Sequence, residues 1–181
     1  MFRQKITDDI ELGLLEPCHA DEIFAVVDAN RKYLREWLPW LDQSRTPGDT
    51  SAYIACSLRQ FVEGKGFQAG IWFQSRFCGA IGHHGINWES RSTSLGYWLD
   101  AGHQGRGIIT RCCQAVVDDA FTRLNLHRIV IRCAIDNRRS RAIPERLGFK
   151  LEGVARESEW LYDHYVDLAI YAMLAPEWAR K

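Results

Sequence analysis

Residues 104–110, Gln104-Gly105-Arg106-Gly107-Ile108-Ile109-Thr110, constrain this chain more than any other stretch, because an apolar strand-like segment runs into them and a strongly periodic helix runs out. Ile108, Ile109, Cys112, Cys113, Val116, Val117, Ala120, Phe121 and Leu124 recur every three or four residues and make a broad apolar face. The two glycines let the backbone approach a ligand closely, and the first helical turn offers unpaired N–H groups at the positive end of the helix dipole. A pyrophosphate suits that arrangement. Gly-x-Gly before a helix is also a common tight turn, and the local residues leave both readings open.

The 181 residues suit one domain, residues 1–181, long enough to bury roughly 70% of the unfolded surface. The 23 basic and 23 acidic side chains cancel, so no global field draws the chain to nucleic acid or to an anionic membrane. The first residues, Met1-Phe2-Arg3-Gln4-Lys5, lack the apolar core of a signal peptide, and no run approaches the ~20 apolar residues of a membrane span. A cytoplasmic location is expected. Cysteines 18, 56, 78, 112, 113 and 133 show no Cys-x-x-Cys pair, so they read as small buried hydrophobes in a reducing compartment, and no metal site is expected.

Periodicity predicts a strand over 10–15, helices over 20–29 and 33–41, the latter stopped near Pro39, and a helix through Ile54, Leu58, Phe61 and Val62 ended by Gly64. Strands follow over 67–74, 78–88 and 93–99, with Gln74-Ser75-Arg76 as a hairpin turn. After the glycine turn and its helix come a buried strand over 128–134, a short helix over 138–147 capped at Gly148, and strands over 149–158 and 165–174. The fold class is α/β, of α+β type, with a mixed sheet covered by helices.

In their order and spacing, Gly96-Tyr97-Trp98-Leu99, the glycine turn, Asn137-Arg138-Arg139-Ser140-Arg141, Glu145-Arg146-Leu147-Gly148-Phe149, Glu152-Gly153 and Asp167 resemble the GCN5-related N-acetyltransferase (GNAT) superfamily. With Trp37-Leu38-Pro39-Trp40, the chain is similar to the RimJ/RimL branch from end to end. The resemblance implies a mixed, mostly antiparallel sheet of six to seven strands with a V-shaped split and about four flanking helices. Acetyl-CoA would lie in the split between the strand ending near Leu99 and the strand beginning near Arg128. Its pantetheine would pair with backbone around Trp98 and Leu99, and Gln104, Gly105, Arg106, Gly107, Ile108, Ile109 and Thr110 would cradle the pyrophosphate. Arg106 could add a charge-assisted contact or be a solvated loop arginine. Ile109 stands where the family pattern has a small residue, which keeps the N–H donors but puts a β-branched side chain in the first turn.

Acetylation needs a neutral amine, and at pH 7 only roughly a tenth to a sixth of a free α-amine is neutral. Glu159 is the expected base, placed by the RimL-like pattern, with Trp160 beside it to limit water and Glu157 as the competitor. The family's thiolate-protonating tyrosine falls on Pro144 here, so Ser140 is the candidate hydroxyl donor and a cofactor contact, against the alternative of a helix first-turn serine bonding its own backbone. Asn137 would touch the pantetheine arm, cap the helix, or both. A bulge near Leu99 would aim a backbone N–H at the carbonyl oxygen. Trp37, Trp40 and Trp88 are the expected walls of the acceptor pocket, or core packing. Of His83 and His84 only one can face the cleft, and the arginines of 138–146 spread around their helix with at most one phosphate contact. The resemblance implies transfer to a protein N-terminal amine, a ribosomal protein in the manner of RimL and RimJ, with a homodimer. A small-amine acetyltransferase for polyamines or aminoglycosides and a non-catalytic acyl-CoA sensor are the alternatives.

Overall fold

In the computed structural model, which describes residues 3–179, apolar alternation organises the chain into one mixed sheet. Its strands are β1 (Arg3–Lys5), β2 (Ile10–Leu14), β3 (Gln68–Phe73), β4 (Arg76–Asn87), β5 (Ser92–Leu99), β6 (Arg128–Ala134), β7 (Lys150–Leu161) and β8 (His164–Leu174). The spatial order is β1-β2-β3-β4-β5-β6-β8-β7, and every neighbouring pair is antiparallel except β5 with β6. The sheet thus has eight strands rather than six to seven, because three residues of β1 pair along β2 at the edge. A run so short shows no periodicity.

The helices are α1 (Ala20–Ala29), α2 (Arg31–Arg35), α3 (Pro47–Val62), α4 (Ile108–Thr122), α5 (Arg138–Arg146) and α6 (Ala175–Trp178), against the four expected. The predicted helix over 33–41 stops at Arg35, since Pro39 disfavours helical geometry in the residue before it and offers no N–H. Its last residue begins a separate 3-10 turn, Leu41–Gln43. Helix α3 starts early because Thr46 and Asp49 form a reciprocal capping box around Pro47. The β3–β4 reversal at Gln74 and Ser75, with φ of 49° and 65°, is the primed geometry that a two-residue hairpin needs.

Two apolar clusters flank the sheet. Helix α4 sinks Ile108, Cys112, Cys113, Val116 and Val117 into one face, against Ile81, Leu95, Ile129 and Ile131. On the other face α1 to α3 pack Ile23, Leu34 and Ile54 on Trp72 and Phe77. Cys78, Cys112, Cys113 and Cys133 are buried, but Cys18 and Cys56 are exposed, which corrects the reading of all the cysteines as core residues.

Strands β5 and β6 pair only through Ser92↔Arg128, Thr93↔Ile129 and Ser94↔Val130. Beyond that point they splay, and the split is the site.

Candidate active site

The splayed strands, the glycine turn and α5 line a cleft of about 1420 Å³. At its mouth Gly105 and Gly107 have φ of 75° and 73°, the left-handed region where other residues are strained, and Gly107 is the N-cap of α4. A Cβ built on Gly105 meets nothing within 4 Å, so the backbone is open to a ligand. The first helical bond runs from the Arg111 N–H to the Gly107 carbonyl at 3.2 Å, leaving the N–H groups of residues 108–110 without an intrahelical acceptor. These residues fit a pyrophosphate. Ile109 turns its side chain into the core at 7% exposure, so the departure from the family pattern is absorbed by packing. Arg106 is not among the lining residues; its guanidinium reaches the Gly102 carbonyl at 3.4 Å and lies 5.5 Å from the Phe73 ring.

Strand register sorts the remaining candidates onto two faces. Cys133 pairs with Ala169 on β8, whereas Glu159 on β7 pairs with Val166, three residues away, and side chains alternate, so Cys133 and Glu159 face opposite sides. On the α4–α5 side, the Ser140 hydroxyl donates to Cys133 Sγ at 3.2 Å and lies 3.5 Å from the Tyr97 hydroxyl, which itself donates to the Ser140 carbonyl at 3.0 Å. Asn137 caps α5 by accepting the Ser140 N–H at 3.0 Å. Burial raises the Cys133 thiol and holds the Tyr97 phenol well above its usual value, so both stay protonated.

Glu159 reaches the cleft from the opposite face through a bulge. Ala155 and Glu159 pair with Leu168 and Val166, so three residues of β7 stand opposite Asp167 alone. The Asp167 carboxylate accepts the Glu157 N–H at 2.8 Å, and Glu157 itself sits at φ 48°. Glu157 is absent from the cleft lining, whereas Ser158 and Glu159 are in it. Burial pushes the Glu159 carboxyl above the usual carboxylate value. The bulge expected near Leu99 lies elsewhere: the β4–β5 register slips between His83 and Ile86, where Gly85 has φ 73°.

Trp37 and Trp40 line the cleft on the Glu159 side, and Trp40 packs 6.2 Å from Trp98. Trp88 does not line it; its indole N–H donates to the Gly64 carbonyl at 2.8 Å. His84 lines the cleft while His83 is buried in the core. Tyr162, at the β7–β8 turn, donates to the Leu38 carbonyl, accepts the Leu41 N–H at 3.2 Å, and carries the Arg35 guanidinium 3.7 Å over its ring. It ties the tryptophan loop to the hairpin that carries Glu159, a link across more than 120 residues that no local pattern announces. Tyr97 was findable, since alternation along β5 puts it on the face opposite Trp98. Four arginines, Arg111, Arg132, Arg139 and Arg146, line the cleft against one carboxylate, Glu159, although the chain as a whole is neutral.

A sheet split beside a parallel pairing, with a glycine turn feeding a helix N-terminus at its mouth, defines an acetyltransferase. The chain belongs to the GNAT family, whose acetyltransferase domain model matches residues 10–150. Members of this family use acetyl-CoA, and the protein is an N-acetyltransferase. It is 34% identical over 180 residues to the putative ribosomal N-acetyltransferase YdaF of Bacillus subtilis (strain 168), covering 98% of each chain. It superposes with a TM-score of 0.92 and 26% identity on RimL, the ribosomal L7/L12 alpha-N-protein acetyltransferase, solved with coenzyme A in disulfide linkage to a cysteine, over 96% of this chain and 98% of that one. The microcin C7 self-immunity acetyltransferase MccE, in complex with acetyl-CoA and AMP, matches with a TM-score of 0.90 and 26% identity over 94% of both chains.

Proposed function

We propose that the protein acetylates the N-terminal α-amine of a protein, a ribosomal protein foremost, by direct attack within a ternary complex. The observation that carries this reading is the placement of Glu159 and Ser140 on opposite faces of the split. Acetyl-CoA supplies an activated thioester. The glycine turn and the N–H groups of residues 108–110 hold its pyrophosphate, and the open edge of β5 beyond Ser94 offers Trp98 and Leu99 backbone to the pantetheine. An amine entering from the tryptophan side meets Glu159, which takes its proton directly or through one water. The departing sulfur meets Ser140, held by Tyr97, on the other side, which compensates for the proline at 144. Cys133 is the cysteine that lines this cleft among the described residues, and the disulfide in the RimL complex supports a thiol end that reaches such a position. A small amine is the second reading, favoured by the likeness to MccE with its bound AMP.

The test is thiol release from acetyl-CoA with Ser- and Ala-initiated peptides, polyamines and aminoglycosides. Turnover with the peptides is expected; turnover with polyamines alone, or cofactor binding with no turnover at all, would overturn the reading.

A further inference from the structure

Among the cleft arginines, Arg111 donates to the Arg106 carbonyl, Arg146 to the Thr110 hydroxyl and Arg139 to the Gln104 side chain, all around the phosphate turn. Arg132 differs from them. It stands in the middle of β6, where Ile131 and Cys133 on either side are buried toward α4 and α5, so its own side chain lies on the face that carries Glu159. It is exposed, it lines the cleft with Glu159 and Leu168, and it has no hydrogen-bond or ion-pair partner among the described residues.

Strand geometry puts the backbones of Arg132 and Glu159 about 17 Å apart: four residues along β8, from Ile170 to Val166, at ~3.4 Å each, and at right angles to them two interstrand steps of ~4.8 Å. That is too far for them to neutralise each other directly without extended side chains. An acceptor lying between the tryptophan loop and β6 covers Arg132, and a covered guanidinium without an anion costs several kcal/mol. The acceptor must therefore bring the anion, or bind poorly.

We propose that Arg132 is a specificity-determining anion site, and that the preferred acceptor is an α-amine peptide with a carboxylate side chain within its first few residues. This rests on the α-amine reading above and names the substrate class within it. An extended peptide covers ~3.3–3.6 Å per residue, so the reach of both side chains places the acidic residue at roughly position two to five. The same arginine repels polycationic acceptors, so one side chain both attracts and excludes.

The experiment compares Ser-initiated peptides carrying Asp at position two, three, four or five with the matched Asn and Lys peptides, using wild type, Arg132→Gln and Arg132→Lys. With wild type, at least one Asp peptide should show a KM lower than its Asn partner by roughly 10- to 100-fold, as expected for a charge-assisted pair. Arg132→Gln should erase that preference, the Asp-peptide KM rising and the Asn-peptide KM falling until the two meet, and Arg132→Lys should restore part of it. Equal KM values for Asp and Asn peptides at every position would overturn the inference and leave the α-amine reading standing. A loss in Arg132→Gln that is equal for neutral and acidic peptides, or that falls on the acetyl-CoA KM, would also overturn it. Turnover of small amines only would remove both.

Discussion

His83 on β4 and Glu159 on β7 are both pushed toward their neutral forms by burial, yet they sit in regions built for different ends. His83 is fully enclosed in the closed part of the sheet, edge-on to Phe67 at 5.0 Å, with neither ring nitrogen paired among the described residues. Its pKa is lowered to about 4 by that burial. Glu159 is half-buried, opens onto the split, and is raised. Desolvation alone makes a group neutral. Access decides whether the result is a structural liability or a base.

The largest expected effect breaks the comparison on the open side. Glu159→Gln should lower turnover by ~10²–10⁴ at pH 7, the usual contribution of a general base. Because the ionised carboxylate is the active form and its pKa is raised, the wild-type rate should fall as pH drops through a value above the ordinary 4.5, and that limb should vanish in the variant. A variant that keeps wild-type turnover would remove Glu159 from the mechanism. A raised folded-state pKa also means that the ionised group costs stability above its titration, so Glu159→Gln should melt no lower than wild type at pH 8.

On the closed side, His83→Leu should leave turnover at pH 7 unchanged and alter only the acid response. The folded pKa, about 4, lies below the ordinary 6.5, so the contribution of neutral His83 to stability is fully present above pH 6.5 and is lost as pH falls toward 4. The loss is on the order of 3 kcal/mol at 1.36 kcal/mol per unit. Denaturant melts at pH 7 and pH 4.5 should show a smaller drop in the variant; an equal drop would assign the acid sensitivity to other groups.

A smaller effect separates the mouth of the split from its reacting centre. Gly107→Ala puts a Cβ at φ 73°, at a cost of ~1–2 kcal/mol, with its nearest contact, Arg111, at 3.8 Å. The acetyl-CoA KM should rise up to about tenfold with kcat at saturation little changed. A fall in kcat alone would mean that the turn orients the thioester rather than holding the phosphates.

Much of this was legible in the chain. The apolar stripe of α4, the glycine turn, the β3–β4 reversal and the strand at Arg128 are written in local periodicity and in residues that tolerate positive φ. The helix expected over 33–41 ends at Arg35: its tryptophans and leucines keep helical spacing, while Pro39 forbids the helix. Helix α6, four residues long, falls below any periodic signal. At the site, Ser140 and Glu159 came from a motif, but no pattern marked Asp167 as the anchor of the bulge, Tyr162 as the clasp between walls, or Trp88 as a residue outside the cleft.

By itself the sequence determined the elements and the phosphate turn, because helix periodicity, strand alternation and glycine dihedrals act over a few residues. Only the tertiary structure decided which face each candidate occupies, that four arginines share the cleft with one carboxylate, and that Arg132 alone among those arginines is left unpaired among the described residues. Those facts depend on strand register and on contacts between residues far apart in the chain, where a slip of one residue would turn every side chain to the other face.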